Sequence, residues 1–174
     1  MVNELFNIKP GIDDRANAIV YQISIVSSAF SGHIINSYDL TYKQHVRLLL
    51  ITVAQQINLI DRLLYKYDYE NRDLIIHRVF IGQARLISSL IPQYYEQGSL
   101  DFFSDKQLEY SQYPEIIEKN DVDYPIGTLL WEFGEEIAKN SDRNKNHQII
   151  MQTIGTYKYY YLKNSEIMNF IKAY

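Results

Sequence analysis

The sequence predicts an all-α protein, a compact single-domain bundle of about five main helices plus short helices across residues 1–174. Apolar residues recur every three or four positions in five stretches, the period of helices that bury one face. No run alternates apolar and polar residues long enough to argue for a sheet. The third observation is size: 174 residues, 47% of them hydrophobic, can bury about 70% of the surface of the unfolded chain. No repeat, low-complexity tract or linker divides the chain.

Gly11-Ile12-Asp13-Asp14 places capping acids before Ala16, Ile19, Val20, Ile23, Val26, Phe30 and Ile34, a single helical stripe. Thr41 caps a second helix through Val46, Leu49, Leu50, Val53, Ile57, Ile60 and Leu64. Asp68–Asn71 breaks the chain, and Asn71 is expected to cap a third helix with Ile76, Phe80, Ala84, Ile87 and Ile91 on its buried face. Pro92 and Gly98 end it. The acidic segment around 98–124 has no long apolar period and contains Pro114, so short helices and loops are expected there. Pro125 suits the first turn of a fourth long helix with Ile126, Leu129, Leu130, Phe133 and Ile137 buried. After a loop at 141–146, Ile150, Ile154, Tyr157 and Tyr161 mark a fifth helix, and Ser165 with Glu166 can start a short last one.

The absence of cysteine removes disulfides and thiol chemistry and fits a reducing compartment. The N-terminus shows no secretion-signal pattern, so a cytoplasmic location is expected. Ala16–Tyr38 carries no Asp, Glu, Lys or Arg over a length that could span a bilayer. Its serines, Gln22, His33 and Asn36 are costly in hydrocarbon, and its flanks are acidic, so the reading is a buried bundle helix with no membrane contact.

The net charge of −4 is unevenly spread: residues 41–95 hold 7 basic and 4 acidic side chains, and residues 96–136 hold 2 and 11. Such asymmetry can present one charged face to a partner, or be spent on internal ion pairs. Lys43, Arg47, Arg62 and Lys66 on the second helix, with Arg78 and Arg85 seven apart on the third, could follow a nucleic-acid backbone without reading bases. Salt bridges to the acidic segment would explain the same charges without a ligand.

Arg72-Asp73-Leu74-Ile75-Ile76-His77 follows a loop and opens a helix. It resembles the Arg, polar residue, three further residues, His pattern of HEPN-family ribonucleases, which are all-helical. The resemblance implies that two such motifs meet in a dimer cleft and cleave RNA without metal. Arg72 would hold the phosphate, Asp73 would be the polar neighbour, and His77 the acid or base, a task that suits the imidazole side chain. The residues also admit a plainer reading, in which Asp73 stabilises a helix N-terminus and His77 is a boundary residue.

No metal site is expected, because His33, His45, His77 and His147 form no paired-ligand spacing, and Glu132, Glu135 and Glu136 fit a solvated helix face. No cofactor is expected either: phosphate loops, dinucleotide fingerprints and nucleophile elbows do not occur.

Tyr157, Tyr159, Tyr160 and Tyr161 wrap most of a helix circumference, so they cannot all face one core. They are expected at an interface, and Lys158 and Lys163 among them could flank nucleic acid. The leading expectation is a non-catalytic helical subunit of a larger assembly that contacts other protein subunits and RNA or DNA backbone. It is similar in kind to the small helical subunits of CRISPR effector complexes. The alternatives are the HEPN-like ribonuclease and a pure protein-binding adaptor or immunity protein, and a homo-oligomer is compatible with all three.

Overall fold

The structure is a computed structural model that describes residues 10–91, 95–114, 117–119, 122–124, 126–143, 146–163 and 171, with backbone alone for 117–119, 122–124 and 157–163. Among the described residues six helices form the all-α bundle: α1 (Ile12–Ser37), α2 (Tyr42–Tyr67), α3 (Arg72–Leu90), α4 (Glu96–Tyr110), α5 (Leu129–Asn140) and α6 (His147–Lys163). Between α4 and α5, β1 (Ile117–Lys119) pairs antiparallel with β2 (Val122–Tyr124), Ile117 opposite Tyr124.

The central element is α2, which packs against α1, α3, α4 and α5. Residues 50–61 are buried without interruption, so the apolar stripe in the sequence is only part of its buried surface. Thr52, Gln55, Gln56, Asn58 and Asp61 are buried as well. Thr52 is satisfied by donating to the Leu48 carbonyl at 2.8 Å, and Asn58 by donating to Gln107 at 3.0 Å. The start of α2 is a reciprocal cap: the Gln44 N–H donates to Thr41 Oγ1 at 3.4 Å, and the Thr41 N–H donates to Gln44 Oε1 at 2.8 Å.

Helix α1 lies on α2, α3 and α6. A Cβ at Gly82 would stand 2.7 Å from Val20 Cγ2, so the missing side chain lets α3 close on α1. Gly134 does the same for α5 and α6, since its Cβ would meet Ile150 Cγ2 at 2.8 Å and the Ile150 carbonyl at 3.2 Å. Phe30 and Phe133, both fully buried with ring centroids 5.6 Å apart, join α1 to α5 across the core. Each buried aliphatic or aromatic side chain of this kind contributes roughly 1.5–3 kcal/mol. Both α1 and α2 are long and apolar enough to cross a membrane by length and composition. For α2 the position at the centre of the bundle accounts for that composition.

Several local expectations need correction. Asn71 precedes α3 but makes no capping bond there; its side chain instead donates to Asp68 Oδ1 at 2.9 Å. The buried line of α3 is Ile75, Val79, Gln83, Ala84 and Ile87, with Ile76 and Phe80 only partly buried. The face is rotated because Gln83, a polar residue, occupies a core position by donating to the Val20 carbonyl at 2.7 Å. Helix α3 ends with Ile91 as its cap, whereas Gly98 sits inside α4; Pro92 lies outside the described residues.

The segment around 98–124 is more regular than expected, with 15 residues of helix in α4. Its buried line, Ser99, Phe103, Lys106 and Tyr110, has helical spacing but is half polar, so a count of apolar residues misses it. Helix α5 begins at Leu129, with Thr128 Oγ1 accepting from the Trp131 N–H at 3.3 Å. Gly127 turns the chain at φ 77°, and Ile126 is left exposed. Pro125 and the expected short last helix from Ser165 lie outside the described residues.

Candidate functional site

Two concavities share α4. The first is a groove of about 780 Å³ between α3 and α4, closed at one end by α2. Ile76, Phe80 and Ile81 from α3 and Leu100 and Leu108 from α4 give it an apolar floor. Arg72, Asp73, His77, Asp101 and Gln107 are among the polar residues of its rim. Helix packing explains the mixture: α3 buries the line through Ile75 and Val79 against the core, which turns Ile76, Phe80 and His77 sideways along the seam with α4.

At the α2 end of the groove the polar groups are tightly organised. Arg72 Nε donates to Asp61 Oδ1 at 2.7 Å and Arg72 Nη2 to Asp61 Oδ2 at 2.8 Å, a two-pronged pair. Gln107 Nε2 donates to the same Oδ2 at 2.8 Å, and Arg72 Nη1 reaches Asp73 at 3.1 Å. The hydrogen bond to Asp61 holds the Arg72 guanidinium above its ordinary value, outweighing the opposite effect of burial. The Tyr65 ring lies 5.7 Å from the guanidinium carbon. His77 is exposed. Arg72 and His77, the two residues of the HEPN-like motif, thus line one groove, with the arginine already engaged by two carboxylates.

The second concavity, about 790 Å³, lies between the start of α2, the end of α4 and α5. Its lining is charged: Lys43, Arg47, Lys106 and Lys139 face Glu109, Glu132, Glu135, Glu136 and Asp142. Lys106, 9% exposed, donates to Glu136 Oε1 at 2.7 Å and to Glu109 Oε2 at 2.8 Å. The Tyr110 hydroxyl donates to Glu136 Oε2 at 2.7 Å, and Arg47 approaches Glu136 at 3.7 Å. Burial first, and then the neighbouring charge of Glu135, push the Glu132 carboxyl above its usual range, against a hydrogen bond from Tyr113 and with help from Glu109. The Glu132 charge in turn raises the Tyr113 hydroxyl. Among the described residues no three His, Asp or Glu side chains gather as a metal site.

The expected basic ridge does not come together as one free surface. Arg47 pairs with Glu136, Arg78 with Asp13, and Arg85 with Glu96 at 3.2 Å. Arg62 is structural: its Nη2 donates to the carbonyls of Tyr110 at 2.8 Å and Tyr113 at 2.7 Å, closing the C-terminal end of α4. Lys43 and Lys66 are exposed, with Lys66 Nζ 5.1 Å from the Tyr67 ring centroid. Tyr157, Lys158, Tyr159, Tyr160, Tyr161 and Lys163 lie on α6, and their side chains are outside the described residues.

The sequence pattern did not single out Asp61, Gln107 and Lys106, and the solvated face expected for Glu136 is corrected: its carboxylate is turned inward onto Lys106 and the Tyr110 hydroxyl. The available signal was a set of polar side chains at helical spacing within apolar surroundings, Asn58 and Asp61 on α2 and Lys106 and Tyr110 on α4. Comparison with known proteins adds no identity: no family model, no curated protein and no solved structure matches this chain.

Proposed function

We propose that the chain is a non-catalytic helical subunit whose work is protein contact, with the α3–α4 groove receiving a basic amphipathic helix of a partner. The observation that carries this reading is the lining of the groove. An apolar floor is left open in the folded chain, with Leu108 71% exposed at its edge, while the rim and the outer face of α4 bear Asp73, Asp101 and Asp105. Apolar anchors at helical spacing would fill the floor, and lysines or arginines beside them would meet the acids. The two-pronged pairing of Arg72 with Asp61 supports a protein partner over a nucleic-acid backbone at this groove, because a phosphate would have to displace a carboxylate already in place.

The test is binding of a designed helical peptide with leucines at i, i+3, i+4 and i+7 and lysines elsewhere. Binding at micromolar level is expected, weakened about tenfold or more by Leu108→Glu and reduced by salt. An acidic peptide with the same leucines should not bind. Equal binding of both peptides, or indifference to Leu108→Glu, would remove the reading.

A second reading rests on one observation, that Arg72 and His77 line the same groove. As a HEPN-like metal-independent ribonuclease, the chain would release Arg72 from Asp61 to a scissile phosphate while His77 moved a proton. RNA cleavage in the presence of chelator, abolished by His77→Ala, would select it.

A further inference from the structure

The solvent-facing side of α1 combines three features that nothing among the described residues accounts for. The helix buries Ile19, Ile23, Phe30 and Ile34 against its neighbours, and the opposite side carries Ala18, Tyr21, Ile25, Ser28, Ala29 and Gly32. First, no Asp, Glu, Lys or Arg occurs from Ala16 to Tyr38, although a solvated helix face is normally charged or polar. Second, Tyr21 is 65% and Ile25 45% exposed, and only 39% of the apolar window of this helix is buried in the bundle. Third, Gly32 stands inside the helix, where glycine is weaker than alanine, yet an added Cβ would meet nothing within 4 Å. Gly82 and Gly134 make room for Val20 and Ile150; among the described residues Gly32 makes room for nothing.

We infer that this face of α1 is the seam of a homodimer in which two α1 helices pair antiparallel, with the twofold axis level with Val26 and Ser27. The absence of charge excludes an ionic partner, and the order of side-chain sizes identifies a second copy. The bulky Tyr21 and Ile25 lie in the N-terminal half of the face and the small Ser28 and Gly32 in the C-terminal half. An antiparallel pair sets Tyr21 over the bare backbone at Gly32, and Ile25 over Ser28, twice by symmetry. A parallel pair would oppose Tyr21 to Tyr21 and leave a gap between the two Gly32 positions.

The stripe from Ala18 to Gly32 is about 22 Å long on a helix 10–12 Å across, so each copy contributes roughly 250 Å². That is well below the ~800 Å² per partner of a standard interface, the size of a weak and reversible contact.

Sedimentation of the full chain over about 1–200 μM covers the micromolar range of a weak, reversible dimer. The expected result is a monomer–dimer equilibrium that Ile25→Lys shifts about thirtyfold or more toward monomer, with helical circular dichroism and Tm unchanged because Ile25 is at the surface. Gly32→Ala separates seam from scaffold. It should raise the Tm of the monomer, alanine being the better helix former in open space, and weaken the dimer about tenfold by blocking Tyr21.

Because the chain has no cysteine, a mixture of Ile25→Cys and Ser28→Cys chains should cross-link as a heterodimer under mild oxidation. A chain that stays monomeric at 200 μM, a dimer indifferent to both Ile25→Lys and Gly32→Ala, preferential cross-linking of Tyr21→Cys to itself, or a monomer that instead floats with phosphatidylcholine vesicles would each overturn the inference.

Discussion

The two faces of α4 border concavities of nearly equal volume, about 780 and 790 Å³, and opposite chemistry. Toward α5 the helix presents Lys106, Glu109 and Tyr110, whose polar groups meet Glu136 or one another. Toward α3 it presents Leu100 and Leu108 to a groove with an apolar floor. In the first case opposite charges arrive from separate helices and satisfy each other, which makes the cleft part of the scaffold. In the second, apolar surface is left uncovered, and the folded chain gains nothing by exposing it. A large charged cleft is therefore weaker evidence of function here than a groove lined by leucine, isoleucine and phenylalanine.

The strongest way to break this comparison is to remove one partner from the charged cleft. Glu136→Ala leaves Lys106 buried with Glu109 alone and takes the acceptor from Tyr110. Urea denaturation should register a loss of about 3–5 kcal/mol. Lys106→Met combined with Glu136→Leu should recover a good part of it, because apolar replacements of both partners leave no buried charge. If Glu136→Ala proves neutral, the cleft is not scaffold, and a ligand role for its charges regains ground.

A smaller loss, about 2–3 kcal/mol, is expected for Asp61→Ala at the α2 end of the groove, where Arg72 and Gln107 would lose their shared acceptor. A double-mutant cycle of Asp61→Ala with Arg72→Ala should return a coupling of about 1.5–3 kcal/mol. A coupling near zero would mean that Arg72 is available for another anion, which would sharpen the ribonuclease reading. On the groove floor the expectation reverses: Leu108→Glu should change stability by less than about 0.5 kcal/mol, since the side chain is already exposed, while weakening peptide binding. A large destabilisation by Leu108→Glu would show that this edge is structural too.

The sequence made the bundle legible because α1, α2 and α5 bury Ile19, Ile23, Ile57, Ile60, Phe133 and Ile137 at helical spacing, and because Thr41 with Gln44 forms a cap that four consecutive residues define. It hid α4, where Ser99 and Lys106 hold half of the buried line. Lys106 belongs inside only because Glu136, thirty residues later, meets it there, and no local pattern carries that information. The same holds for the groove. The Arg72–His77 motif was visible in six residues, whereas Asp61, which decides whether Arg72 is free, is contributed by another helix. The pairing of the basic residues was hidden for that reason as well: Arg78 and Arg85 share a side of α3 as their spacing requires, but the acids they meet come from α1 and from the first turn of α4.

The smallest expected effect concerns pH and has opposite signs at two carboxylates. Burial raises the Asp68 carboxyl, but hydrogen bonds from Arg15 and Asn71 and the Arg15 charge bring it below its ordinary value. Its contribution is thus present above the unfolded pKa of about 3.9 and is lost as pH falls through the lower folded value. Glu132, raised by burial and then by Glu135, behaves in reverse: its charge destabilises the fold at neutral pH, and the penalty is relieved as pH falls through the raised folded value toward about 4.3. Glu132→Gln should therefore stabilise the protein at pH 7 by on the order of 0.5 kcal/mol, a value kept small by solvent screening, and should flatten the rise in Tm as the wild-type chain is acidified from pH 7 toward pH ~4.3. Asp68→Asn should leave that rise intact and reduce the fall below it. Because Glu132 lines the charged cleft and has Glu135 and Glu109 as its neighbours, a Glu132→Gln variant less stable than wild type at pH 7 would mean that the ionised carboxylate is held by a cation. The cleft would then have to be read as a binding site after all.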